Sequence, residues 1–145
     1  MKSITHILAI LALFVLASPL SANEKQFGDY TIHYNVFNSD FLSAPVAKNY
    51  GITRSKNRAV LNVTVTKKGE GPLPKAIEAN IVGKAFNVYQ QAKPLDLREI
   101  QDKGSIYYIA EFPVANEETV NFEIGASENN HTIGKVTFQQ QFFVQ

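Results

Sequence analysis

Apolar residues recur at every second position in one segment after another, and that period belongs to half-buried strands rather than helices. Tyr30, Ile32, Tyr34 and Val36 alternate with Thr31, His33 and Asn35, and Leu61, Val63 and Val65 alternate with Asn62, Thr64 and Thr66. Ile106, Tyr108, Ala110 and Phe112 form another such set, and Val120, Phe122, Ile124 and Ala126 the most regular one. Near the C-terminus Val136, Phe138, Phe142 and Val144 share one parity, which Gln140 interrupts. Residues 76–89 also read as extended, but their apolar parity changes between Ile81 and Val82. Gly83, just after the change, suits a β-bulge or a close backbone approach.

Turn residues fall between these runs. Gly69-Glu70-Gly71-Pro72 follows the second strand, and Asp102-Lys103-Gly104 follows a weak strand over residues 95–100. Ser127-Glu128-Asn129-Asn130 joins the last two strands as an antiparallel hairpin. Strands with one polar face and short connections predict an all-β fold, an antiparallel two-sheet β-sandwich (immunoglobulin-like) of about seven strands. A closed barrel is the alternative. One short helix is expected near residues 43–50, with Ser43 as its cap, Pro45 in its first turn and Gly51 at its end. So short a helix cannot stand alone, so Phe41, Leu42, Val46 and Tyr50 are expected to pack it onto the sandwich.

Residues 1–22 have the layout of a secretory signal peptide. Lys2 precedes an unbroken apolar run from Ile7 to Ala17, Pro19 breaks it, and the small residues Ser18, Ser21 and Ala22 surround the break. At about 1.5 Å per residue the run falls well short of a bilayer core of roughly 30 Å. No transmembrane anchor is therefore expected after cleavage. Cutting after Ala22 places Leu20 at the third position before the cut, and cutting after Ala17 is the alternative. Residues 23–145 are expected to form a single domain.

Composition removes several function classes. The 145 residues contain no cysteine, which excludes disulfides, thiol catalysis and cysteine-bound zinc. With 14 Lys+Arg against 13 Asp+Glu there is no basic stripe for nucleic acid. No G-x-S-x-G elbow is present, no S-x-x-K follows the signal segment, and only His33 and His131 remain there as bases. No catalytic, cofactor or metal site is assigned. Asp29, His33 and Asn35 share one strand parity and so could project together toward a metal, but a hydrated strand face is the simpler reading. Arg54-Ser55-Lys56-Asn57-Arg58 is the densest cluster of cations. It suits either a grip on a carboxylate or phosphate or a solvated connection. Phe37, Tyr107 and Phe143 fall on the outward parity, where they either join Tyr50 in an apolar patch or line a second packed face.

Phe27-Gly28-Asp29-Tyr30, His33-Tyr34-Asn35, Phe37-Asn38 and Phe41-Leu42 resemble the opening of a bacterial family of small exported proteins. Tyr50-Gly51-Ile52, Arg54-Ser55-Lys56, Leu61-Asn62-Val63, Ile106-Tyr107-Tyr108-Ile109-Ala110, Phe112-Pro113 and Gln141-Phe142-Phe143 continue the likeness. The family is domain of unknown function 4426, and the resemblance covers essentially the whole chain after the signal segment. It implies a bacterial periplasmic protein of one domain and brings no activity, cofactor or catalytic residue.

Polar residues within these motifs, with their neighbours, make up a candidate binding surface of His33, Asn35, Asn38, Tyr50, Arg54, Lys56 and Arg58. Such residues either bond turn backbone or form a site. The expected function is that of a non-enzymatic periplasmic binding domain whose partner is a protein or an envelope component. A carrier of a small apolar ligand is the alternative, and an enzyme comes third.

Overall fold

A computed structural model describes residues 23–144, so the expected signal segment over residues 1–22 lies outside the described residues. The alternating segments form two antiparallel sheets packed face to face. One sheet has the order β1 (Asn23–Phe27), β2 (Tyr30–Asn38), β3 (Arg58–Lys67), β8 (Ser105–Pro113) and β7 (Arg98–Asp102), with the short β4 (Lys75–Ala76) also on β3. The other has the order β10 (His131–Phe142), β9 (Glu118–Glu128), β5 (Asn80–Asn87) and β6 (Ala92–Lys93). The strand count exceeds the expected seven partly because β4 and β6 are two-residue bridges. Strand β1 adds another, and with Glu24, Lys25 and Gln26 all exposed on a sheet edge it carries no alternation to read.

The inner faces supply one core. Ile32, Leu61, Val63, Val65 and Phe112 from the first sheet meet Val120, Phe122, Ile124, Val136 and Phe142 from the second, all buried. Phe138 stacks on Tyr34 at 4.5 Å and on Phe122 at 4.8 Å. Phe112 meets Phe122 and Phe142 edge-on at 5.6 and 5.9 Å. Gln140, the break in the β10 parity, keeps its half-buried place because its side-chain amide donates to the Val36 carbonyl at 3.0 Å. A polar group at that depth needs such a partner, and this one ties β10 to β2.

The hairpin turns are tighter than the turn segments suggest. Lys103-Gly104 and Asn129-Asn130 have positive φ at both positions, as two-residue turns between twisted strands require. Beside the second turn, Glu128 accepts from the Tyr30 hydroxyl at 2.5 Å and pairs with Lys67 at 3.4 Å, joining the two sheets at that end.

Two departures from the expected pattern have one cause. The weak strand begins at Arg98 rather than Leu95, because Leu95 and Leu97 turn inward onto the core. Both press on Gly83, where a Cβ would lie 3.2 Å from each leucine Cδ1. Gly83 therefore serves a close approach and not a bulge, and the parity change arises because Val82 faces solvent. The bulge lies instead in β10, between Thr132 and Gly134. There the Phe27 ring occupies the space that a Gly134 side chain would need. Each open side of the sandwich is thus closed by apolar side chains seated on a glycine of the second sheet.

Gly134→Ala is expected to displace the Phe27 ring and cost about 1–3 kcal/mol in urea unfolding, the range for overpacking a filled site. Combining it with Phe27→Ala should cost less than the two single losses added, and additive losses would show that the ring is not seated there. The Tyr30 hydrogen bond, followed by Lys67, holds the Glu128 carboxyl below its ordinary value of 4.5. Its stabilising contribution is therefore complete above pH 4.5 and disappears as the pH falls through the lowered value. Glu128→Gln should flatten that acid limb in a series of melts, and an unchanged limb would contradict the assignment.

Candidate functional site

Chain geometry after β2 sets up the site. A single 3-10 turn, Ser39–Phe41, leads into helix α1 (Ala44–Tyr50). Ser43 Oγ accepts from the Val46 amide, Pro45 lies in the first turn, and Gly51 ends the helix in the left-handed conformation at φ 65°. The expected stop and start signals operate. The packing differs from expectation, because α1 buries Ala47 against Ile52, Val60 and Ile109 on the outer face of β3 and β8. Leu42 and Tyr50 assist it, while Phe41 and Val46 point to solvent. Ala47 is the helix position buried against the sheet, which leaves Phe41, ahead of the helix, and Val46 on its exposed side.

This second core settles most of the outward aromatics. Phe37 and Tyr107 pack at its rim with Tyr50, whose ring centre is 6.1 Å from that of Tyr107. Tyr50 donates to Asp102 Oδ2 at 3.0 Å, and that hydrogen bond, ahead of desolvation, raises its pKa. Phe143 stays outside the cluster.

Polar side chains sew the surrounding loops together. Ser39, fully buried, donates to the Thr53 carbonyl at 2.7 Å with the Ser55 carbonyl at 3.0 Å, and it accepts from the Ser55 amide at 2.8 Å. Arg54 Nε donates to the Leu42 carbonyl at 2.6 Å and its Nη2 to the Asp40 carbonyl at 3.2 Å. Asn38 Nδ2 donates to the Lys56 carbonyl at 3.0 Å and the Phe143 carbonyl at 3.1 Å. The 3-10 turn, the 53–57 connection and the segment after β10 are thereby held side by side. Between them Asn38, Asp40, Phe41, Lys56 and Phe143 line a surface groove of about 300 Å³.

Of the candidate surface residues, only Asn38 and Lys56 line this groove, with Arg54 fastening one wall from behind. Tyr50 belongs to the second core. Arg58 lies on the outer sheet face, 3.8 Å from Glu111, a carboxylate that also accepts from the Thr53 amide and sits 3.8 Å from Arg98. His33 is about 16 Å further back along β2. It contacts Thr66 Oγ1 at 2.9 Å and Glu24 at 3.2 Å, with Asn35 exposed on the same strand. Among the described residues no three His, Asp or Glu side chains gather as a metal would require, and Asp29 sits in the β1–β2 turn. The sequence reading missed Asp40 and gave Phe41 to the helix contact. Asn38 and Lys56, as candidate surface residues, and the outward parity of Phe143 signalled this groove in advance.

The comparisons fit this architecture. The family described as Domain of unknown function (DUF4426) matches residues 24–145. The crystal structure of a DUF4426 family protein (PA0388) from Pseudomonas aeruginosa PAO1, at 2.09 Å resolution, is 35% identical, with a TM-score of 0.72. That match covers 84% of this chain and 94% of the other. No curated protein matches the sequence.

Ser39→Ala should destabilise the protein by about 1–3 kcal/mol, because it strands buried backbone groups that the hydroxyl now satisfies. Hydrogen exchange should rise first at the Ser55 amide. Unchanged exchange there would contradict the role given to Ser39.

Proposed function

This chain belongs to the DUF4426 family, and from the groove at the end of its sandwich we propose that it is an exported, periplasmic, non-enzymatic interaction domain that binds a polypeptide segment. One observation carries the reading. Phe41 and Phe143, 81% and 56% exposed, flank the groove from backbone that is already hydrogen-bonded in place. Covering a large apolar side chain is worth about 1.5–3 kcal/mol, and walls fixed beforehand lose little entropy when a partner docks. Asp40 and Lys56 give the groove one acceptor and one donor of opposite charge, which suits the peptide groups and mixed side chains of a protein segment.

Other features support the same choice. The space between the sheets is filled by stacked rings, which disfavours a carrier with its ligand in the core. The groove lining offers an amide, a carboxylate and an ammonium and no histidine, a poor set for acid–base or nucleophilic chemistry. No helix among the described residues is long and apolar enough to cross a membrane. The signal-like layout of residues 1–22 is what supports export.

A photo-crosslinking residue placed at Phe41 or at Phe143, in cells that make the protein, tests this reading. Both positions are expected to give the same discrete adduct in the periplasmic fraction, and Lys56→Glu should weaken it. Glu70, in an exposed loop, should give none. Failure of both groove positions to crosslink, or retention in the cytoplasmic fraction, would overturn the proposal.

A further inference from the structure

The same end of the sandwich carries a second pair of exposed apolar side chains. Val88 and Tyr89, 56% and 81% exposed, form the tip of the β5–β6 hairpin. The tip is built rigidly. Asn87 Oδ1 accepts from the Tyr89 and Gln91 amides at 3.0 Å each, and its Nδ2 donates to Gln91 Oε1 at 2.7 Å. The Asn87 amide closes the loop onto the Gln91 carbonyl at 3.0 Å. Behind it Lys93 donates to the Pro113 carbonyl at 2.8 Å and pairs with Glu118, fastening β6 to both sheets.

Strand register places this tip beside the groove. Asn87 pairs with Val120, Val120 with Gln140, and Gln140 reaches Val36 on β2, while Asn38 reaches Phe143. Two strand spacings, about 10 Å, separate the tip's strand from β10 at that end. An exposed aromatic tip and an aromatic-walled groove thus lie at the same end of the sandwich, with the start of β9 between them.

We propose that the groove is filled by the Val88–Tyr89 tip of a second copy of this chain, the two copies exchanging tips about a two-fold axis; this rests on the groove being a polypeptide site. The chemistry of the two parts matches. A phenol ring can pack on Phe41 and Phe143 while its hydroxyl donates to the Asp40 carboxylate, and Lys56 can meet the amide oxygens of Gln90 or Gln91. Because tip and groove are neighbours on one end, a single two-fold axis satisfies both contacts at once, giving a closed dimer rather than a chain of copies. Phe41, Val88, Tyr89 and Phe143 together offer about 500 Å² of exposed surface per copy. Two copies then bury about 1,000 Å² before their polar neighbours are counted, which reaches the lower range of specific interfaces and fits a reversible dimer. A net charge of only +1 gives the copies little reason to repel.

The chain contains no cysteine, so an introduced thiol is unique. Under mild oxidation a mixture of Y89C and F143C chains should form the mixed disulfide faster than either variant pairs with itself, and faster than Y89C pairs with L73C. Sedimentation equilibrium of the unmodified protein should show a monomer–dimer equilibrium, weakened about tenfold or more by Tyr89→Ala, as for an interface anchor. Tyr89 is mostly solvated, so the thermal midpoint of dilute Tyr89→Ala should not change. A monomer at all concentrations up to about 1 mM, or disulfides formed without preference, would overturn the dimer. If the protein is a monomer while Phe41 crosslinks to a different polypeptide, only this inference fails and the binding groove stands. Absence of both would remove both.

Discussion

Tyr34, Phe138, Phe122, Phe112 and Phe142 form a continuous row of rings between the sheets, and the remainder of the structure depends on the spacing that row sets. Facing sheets pack about 10 Å apart when inner side chains interdigitate, and stacked and edge-on rings fill that depth without voids. A fixed depth leaves two open flanks. On one flank the Phe27 ring enters and rests on Gly134, and on the other Leu95 and Leu97 rest on Gly83. A side chain at Gly134 would collide with the ring, while one at Gly83 would require the two leucine ends to give way by a few tenths of an ångström. Without disulfides, the domain relies on this packing and on cross-sheet links such as Gln140 to Val36 and the Tyr30–Glu128–Lys67 cluster.

The two ends of the sandwich differ in character. At the Glu128 end, two-residue turns and an ion-paired cluster stand beside the 68–74 connection, in which Leu73 is the one large apolar side chain exposed. At the other end, connections are sewn together by Asn38, Ser39, Arg54 and Asn87, all of which bond backbone, Asn87 bonding the Gln91 side chain as well. These bonds hold loops in position while Phe41, Val88, Tyr89 and Phe143 remain uncovered. An apolar group on rigid backbone has already lost its conformational freedom, so burying it against a partner recovers hydrophobic free energy at small further entropic cost. That combination is what supports the proposal that this end is the interaction surface.

The strands and the helix termini were legible in the sequence because each rests on local rules. Alternation marked the inner faces of β2, β3, β8, β9 and β10, and Ser43, Pro45 and Gly51 marked the helix. Readings that depended on what lies opposite a residue were less secure. Gly83 reads equally as a bulge or a contact point, and only the position of Leu95 and Leu97 decides. Phe41 reads as a helix contact, but Ala47 takes that role because it is the helix residue buried against β3 and β8. Asn38 and Arg54 stood out as polar residues not needed by a core, yet their bonds to Phe143 and Leu42 span separations that no local pattern reveals. Asp40 carried no signal at all, since its place in the groove follows from the folding of the loop around Ser39.

The central claim is that this one end of the sandwich is an interaction surface, rigid by itself and covered in use. Hydrogen exchange mapped along the chain, for dilute purified protein and for the same protein at high concentration in an extract of the cells that make it, tests it most directly. Added protection is expected over residues 38–43, 53–57 and 142–144, and over residues 87–91 if tips are exchanged, with the outer faces of β5 and β9 unchanged. Protection confined to those outer faces, or none anywhere, would contradict the account.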